Sequence, residues 1–175
     1  IAGAGEVGSH LAKMLSNESN DITVIDSDQS RLDALASNTD IVTVTGSSSE
    51  IKVLKEAGVA DSDLFIAVNP SESQDVNIIS AILAKKLGSH KVTARINTEE
   101  YLSYENKNIF TEMGIDLLFY PEKIAAGEII DLLKHNASTD SMDFARGSVQ
   151  MSVFKVEEDS PLLDMNVFDL SRYAT

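Results

Sequence analysis

A chain of 175 residues with 43% hydrophobic content can fill one core of ordinary size with some remainder, which excludes disorder as its main state. Fourteen basic residues against twenty-eight acidic ones give a formal charge of −14, so most of the surface repels nucleic acid and anionic lipid headgroups. With no cysteine there is no disulfide framework, thiolate metal site or cysteine nucleophile, and no apolar run approaches the roughly 18 residues a membrane span needs.

The chain opens on Ile1-Ala2-Gly3-Ala4-Gly5-Glu6-Val7-Gly8, which reads as the end of a buried strand turning sharply into a helix. In this Gly-x-Gly-x-x-Gly pattern Gly3 permits the tight turn, Gly5 lets backbone approach a pyrophosphate, and Gly8 lets the helix pack close to a sheet. A diphosphate there would meet unpaired N–H groups and the positive end of the helix dipole. The triplet alone also fits an ordinary loop turn. A buried parallel strand has about four or more apolar residues before its turn, so a few residues are expected upstream of Ile1.

After the turn, Val7, Leu11, Met14 and Leu15 form one apolar stripe of a helix that stops at Ser16-Asn17-Glu18-Ser19-Asn20. Ile22-Thr23-Val24-Ile25 is a β-branched run ending at Asp26, eighteen residues beyond Gly8. Strand, glycine turn, amphipathic helix, strand and acid in that order match a βαβ dinucleotide unit, whose carboxylate accepts hydrogen bonds from ribose hydroxyls. Asp26 has a second reading as the cap of the following helix, a role open to Ser27 and Asp28 as well. An acid at this place also disfavours the 2′-phosphate of NADP by repulsion.

The alternation continues. Leu32, Leu35 and Ala36 mark a short helix, and Ile41-Val42-Thr43-Val44-Thr45 is a third strand stopped by Gly46. Ser47 and Glu50 have capping-box spacing for a helix carrying Ile51, Leu54 and Ala57 and closed by Gly58. Leu64-Phe65-Ile66-Ala67-Val68 is a continuous apolar run, as in a strand covered on both faces, and ends at Asn69-Pro70. A longer helix puts Val76, Ile79, Leu83 and Leu87 in register and stops at Gly88. Lys91 to Ile96 is a fifth strand and Leu117 to Pro121 a sixth, joined by a helix carrying Tyr101, Leu102, Ile109, Phe110 and Met113 and closed by Gly114.

Six strands, each separated by a helix, predict an α/β fold: a doubly wound, Rossmann-like parallel six-stranded sheet with right-handed crossovers and order 3-2-1-4-5-6. Ligands of such sheets bind beyond the carboxyl ends of the strands, so Gly3 to Gly8, Asp26, Gly46, Asn69 and Arg95 should converge on one crevice. Arg95 reads either as a charge-assisted contact to phosphate or to an acid of a neighbouring subunit, or as a surface arginine.

The helix from 122 to 134 differs from the others. Ile124, Ala125, Ala126, Ile129, Ile130, Leu132 and Leu133 cover more than the single stripe a peripheral helix needs, so it is expected to bury two faces. The second face docks either on another subunit or on a second domain of the same chain. The dinucleotide-binding domain then spans residues 1–135, and a polar linker spans 136–142. Val149 to Val156 alternates like an antiparallel strand, and Ser160 to Leu170 resembles a short helix or turn. About thirty residues cannot bury a core alone, so 143–175 is expected to be the start of a small α+β domain, cut short.

A dehydrogenase needs a group to polarise a carbonyl and shuttle a proton. His10, His90 and His135 have no spacing that suggests a metal or a triad, and Tyr101, Tyr104 and Lys107 lack the Tyr-x-x-x-Lys spacing of short-chain dehydrogenases. The residues therefore argue for binding a nucleotide rather than transforming it. The competing reading is an NAD-dependent oxidoreductase whose catalytic domain lies beyond Thr175.

Beyond the glycine turn, further stretches carry a family resemblance: Val24-Ile25-Asp26, Ser73-Gln74-Asp75-Val76-Asn77 before the Ile78 to Gly88 helix, Ala94-Arg95-Ile96-Asn97, and Met113-Gly114-Ile115-Asp116 leading to Pro121-Glu122. Together they resemble the regulator of potassium conductance (RCK, or KTN) domain over nearly the whole chain. The resemblance implies a cytoplasmic regulatory subunit, peripheral to the membrane through its partner, that binds NAD or NADH, and in some members ATP or ADP. It implies assembly into a homodimer or higher oligomer and docking on a membrane potassium transporter. By matching positions, Gly3, Ala4, Gly5, Glu6, Val7 and Gly8 would carry the diphosphate, Asp26 the ribose, Val68 and Asn69 the nucleotide's flank, and Arg95 a phosphate or the interface. One departure is Gly46-Ser47, where many members have an acid after the glycine that contacts adenine.

Overall fold

The β-branched runs become short parallel strands because their branched side chains fit a sheet covered on both faces. The structure, a computed structural model, describes residues 1–134, 140–144, 149–153, 155–156, 160, 163 and 165–166. Two units divide the chain, Ile1–Ile124 and Ala125–Thr175, and each is taken by itself.

In the first unit α1 (Glu6–Ser16) leads to β1 (Thr23–Asp26), α2 (Gln29–Ala36), β2 (Val42–Thr45), α3 (Ile51–Glu56), β3 (Leu64–Ala67), α4 (Gln74–Leu87), β4 (Lys91–Arg95), α5 (Tyr104–Glu112) and β5 (Leu117–Phe119). β1 pairs with β2 in parallel from Thr23↔Val42 to Asp26↔Thr45, and β3, β4 and β5 pair in parallel in that order. Among the described residues five parallel strands thus form a pair and a triplet, and the strand expected ahead of the glycine turn, the first of the six, does not form as a strand. Its place is held by Ala2, bridged to Ile25 on one side and Ala67 on the other. The Ala2 amide donates to Ile66 O and its carbonyl accepts from Val68 N, both at 2.8 Å, while the Gly3 amide donates to Ile25 O at 2.7 Å.

Neighbouring strand residues face opposite ways. Val24 packs with Ala4, Ala12, Leu32 and Leu35 on the α1–α2 side, and Ile25 packs with Val44, Leu54, Phe65 and Ala81 on the other. α1 and α4 meet the sheet through small residues. Gly8 and Ala12 are the buried positions of α1, and Asn77, Ser80, Ala81 and Ala84 those of α4. Met14 and Ile79, expected on the buried stripes, are 53% and 48% exposed. Small side chains let a helix axis approach the strands closely, and the larger residues then fill the flanks.

Two helix starts differ from expectation. The Ser47–Glu50 capping box does not form: Glu50 precedes α3 without a side-chain cap bond, and Ser47 Oγ pairs with Ser49 Oγ at 2.8 Å. The helix expected before Gly114 breaks into a turn at Glu99–Leu102 and α5, which is capped by Ser103 accepting from Asn106 N at 3.3 Å.

The amino ends of β4 and β5 are tied by Asp116. Its Oδ2 accepts from Val92 N at 2.8 Å and from Lys85 Nζ at 3.0 Å. The Val92 amide, outweighing a desolvation penalty and helped by Lys85 and Lys91, holds the Asp116 carboxyl below the ordinary aspartate value. A depressed folded-state value contributes stability above the ordinary aspartate pKa and loses it as pH falls through the folded value. Asp116→Asn is therefore expected to melt with a shallower acid dependence than the parent below about pH 4. Solvent screening of this half-exposed pair keeps the difference near or below about 1 kcal/mol. Identical pH profiles in thermal melts would refute the assignment.

The second unit contains most of α6 (Pro121–Lys134) and a hairpin of β6 (Asp140–Phe144) and β7 (Val149–Val153), antiparallel from Asp140↔Val153 to Phe144↔Val149. Asp140 to Met142, expected in a linker, lie in β6, and the rest of 136–142 lies outside the described residues. The expected α+β domain over 143–175 is not shown: its described residues are parts of this hairpin and isolated positions. Among the described residues no helix is long and apolar enough to cross a membrane.

Candidate functional site

The glycine turn is built by close backbone approach. Gly3 has φ +107°, and a Cβ there would lie 2.8 Å from Asn69 N, so a side chain is excluded by both conformation and space. A Cβ on Gly8 would fall inside the van der Waals shell of the Gly3 carbonyl oxygen and 3.3 Å from Val68 Cγ2. The close contact of Gly8 is thus with the turn itself, more than with the sheet. Gly5 is different, since a Cβ there would meet nothing within 4 Å. It precedes α1 without a side-chain cap bond, so no capping side chain satisfies the first amides of the helix.

Asp26, at the carboxyl end of β1, is 7% exposed and holds this turn in place. Its Oδ2 accepts from Ala4 N at 2.6 Å and its Oδ1 from Asp28 N at 2.8 Å. The helix-cap role falls instead to Asp28, which accepts from Ser30 N at 2.9 Å. Each Asp26 oxygen keeps a lone pair for a further donor.

Arg95 ends β4. Its side chain is 14% exposed, and Nη2 donates to Glu122 Oε1 of α6 at 2.6 Å. Its Nε is buried with no hydrogen-bond partner among the described residues. Partial desolvation raises the Glu122 carboxyl, but its own backbone amide and the Arg95 guanidinium prevail and hold it below the ordinary glutamate value.

An open crevice of about 610 Å³ lies between these elements. Ala4, Gly5, Glu6, Val7, Val68 and Arg95 line it, whereas Gly3, Gly8, Asp26 and Asn69 do not. Arg31 and Glu72 also line it, and no motif in the sequence marks either of them. Arg31 is paired with Asp28 at 3.3 Å. Gly46 carries φ +151° and does not line the crevice. A second cavity of about 560 Å³ opens at the amino ends of the strands, beside Ile22 and Leu64. Ligands of α/β sheets bind beyond the carboxyl ends, which favours the crevice at the glycine turn. Among the described residues no group of three or more His, Asp or Glu side chains could hold a metal ion.

The residue set suits a diphosphate: uncapped helix amides, a glycine that leaves room for close approach, and a buried guanidinium N–H without a partner. Parallel strands, flanking helices and this crevice define an α/β domain of the Rossmann type. The TrkA-N domain family matches residues 1–121, and the chain belongs to that family. It is 35% identical over 174 residues to the Trk system potassium uptake protein TrkA of Halomonas elongata, covering 99% of this chain and 38% of that protein. It thus spans about two fifths of the length of that relative. Its fold resembles the TrkA-N domain of the inner membrane protein ybaL from Escherichia coli, with a TM-score of 0.63 at 20% identity over 75% of this chain and 93% of the other. It also resembles the GsuK channel bound to NAD, with a TM-score of 0.55 at 17% identity over 67% of this chain and 20% of the channel.

Proposed function

We propose that this chain is the nucleotide-sensing part of a regulatory subunit that binds NAD or NADH, with ATP or ADP as alternatives, and gates a membrane potassium uptake system. The observation that carries the binding role is the buried Nε of Arg95, without a partner among the described residues, in a crevice that the uncapped start of α1 also lines. Gly3 through Gly8 would take the diphosphate and Asp26 the ribose hydroxyls, with Val68 and Asn69 at the nucleotide's flank and Arg95 on a phosphate. When bound, the nucleotide supplies charge and bulk in the crevice. No chemical step is assigned to it, and the role is regulatory rather than catalytic.

A dinucleotide-binding domain over residues 1–135 accompanies this reading. So do a peripheral position on the cytoplasmic face of the membrane and a homodimer or higher oligomer through residues 122–134. Ile124, Ile129, Ile130 and Leu132 are 57%, 57%, 48% and 72% exposed on α6, an apolar surface that a second copy would cover. Nucleotides of different charge would favour different arrangements of the pair, and only unequal affinity for the two arrangements can shift a gate.

Calorimetric titration with NADH, NAD, ATP and ADP tests the binding role. Saturable heat with at least one of them is expected, and none with all four overturns the reading. Sedimentation tests assembly: Ile129→Glu is expected to shift the protein toward monomer, and an unchanged distribution would remove α6 as the interface.

A further inference from the structure

The least expected residue of the first unit is Asn77. It lies on the face of α4 that packs on the sheet, is 0% exposed, and has all four of its amide valences filled. Oδ1 accepts from Asn69 N at 2.9 Å and from Asn69 Nδ2 at 3.0 Å. Nδ2 donates to Asn69 O and to Arg95 O, both at 3.2 Å. One amide therefore joins the carboxyl ends of β3 and β4.

Residues of both ends, Val68 and Arg95, line the crevice. The Asn69 backbone lies against the glycine turn so closely that a Cβ on Gly3 would sit 2.8 Å from Asn69 N. Arg95 carries the buried Nε–H, without a partner among the described residues. We infer that Asn77 is a positioning residue for nucleotide binding: it sets the separation between the glycine turn and the Arg95 guanidinium, matching it to a nucleoside diphosphate. This rests on the nucleotide reading above. No other side chain of this size offers two acceptor sites and two donors in one plane. Aspartate lacks the donors, leucine lacks every polar atom, and glutamine is longer by a methylene.

A purely structural role is the alternative, since any buried amide spanning two strand ends stabilises the fold. The two are separated by where the damage appears. Asn77→Asp keeps an acceptor for Asn69 but loses the donor to Arg95 O, and Asn77→Ser removes the span with little bulk. ADP is titrated into the full chain and into both variants, in the parent and in an Arg95→Ala background, with thermal melts showing which proteins are folded.

Either folded variant is expected to weaken ADP by about tenfold in the parent background and by much less once Arg95 is gone. Variants that melt lower but bind ADP like the parent overturn the inference, as does an equal loss in both backgrounds. A folded parent that binds no ADP, NADH or ATP overturns the nucleotide reading and this role with it. Parent binding with unaltered variants overturns this role alone.

Discussion

Gly8→Ala is expected to lower the melting temperature by roughly 10 °C or more, while Gly5→Ala leaves it within a few degrees. The two glycines share a motif and differ in surroundings. A methyl on Gly8 would enter the Gly3 carbonyl oxygen, and both partners are backbone atoms fixed by other bonds. Gly3 N is held by Ile25 O at 2.7 Å, and Gly8 is a buried position of α1, so neither yields without breaking the sheet junction or the helix start. Overpacking of this kind costs about 3 kcal/mol when nothing can move aside. At Gly5 the methyl meets open space and φ is −70°, a value any residue adopts. The methyl would instead project where the proposed nucleotide's diphosphate would approach. Gly5→Ala is therefore expected to keep its stability and lose about tenfold or more in NADH affinity, roughly 1.4 kcal/mol per decade. Equal melting of the two variants in calorimetry would refute the packing argument. Full NADH affinity in Gly5→Ala would move the ligand away from the turn.

How much of the fold and site is legible in the sequence depends on whether a residue's role is local. The run ending at Asp26 announces a strand and its carboxyl end, because β-branching and alternation are local properties. The strand ahead of the glycine turn follows from the motif, and Ala2 supplies one bridge to each neighbour. Helix faces mislead for a physical reason. Apolar periodicity points to Met14 and Ile79, whereas close packing on a sheet selects the smallest side chains, and Gly8, Ala12, Ala81 and Ala84 are small enough to read as neutral. Asn77 falls in a motif that gives it no role, since a polar residue on an amphipathic helix normally faces solvent. The signal for its burial is its spacing with Ser80, Ala81 and Ala84, a stripe of small residues at i, i+3, i+4 and i+7. The Arg95–Glu122 pair joins residues 27 apart, and no periodicity foreshadows it. Position alone leaves Asp26 open to ribose contact and to helix capping. Its bond to Ala4 N, 22 residues away, belongs to neither reading.

That bond leads to the second large effect. Asp26→Ala is expected to cost about 2–3 kcal/mol in chemical denaturation and at least about 100-fold in NADH affinity. The Ala4 amide is in a buried residue, and its acceptor is a carboxylate oxygen at 2.6 Å, a charge-assisted bond of the stronger kind. Removing the carboxylate strands that donor and releases the turn, while the ribose would lose its acceptors. Asp26→Asn sharpens the test. In the native site both oxygens receive backbone N–H groups, from Ala4 and from Asp28. An asparagine must turn its NH2 toward one of them, donor against donor, so the nearly isosteric variant is expected to be no more stable than the alanine one. Native-like stability in Asp26→Asn would show that the carboxylate does not fasten the turn. If both variants lost stability and kept NADH affinity, the carboxylate would be confined to architecture. Loss of both in the two variants is the expected outcome, because the group that orders the turn is the same group proposed to take the ribose hydroxyls.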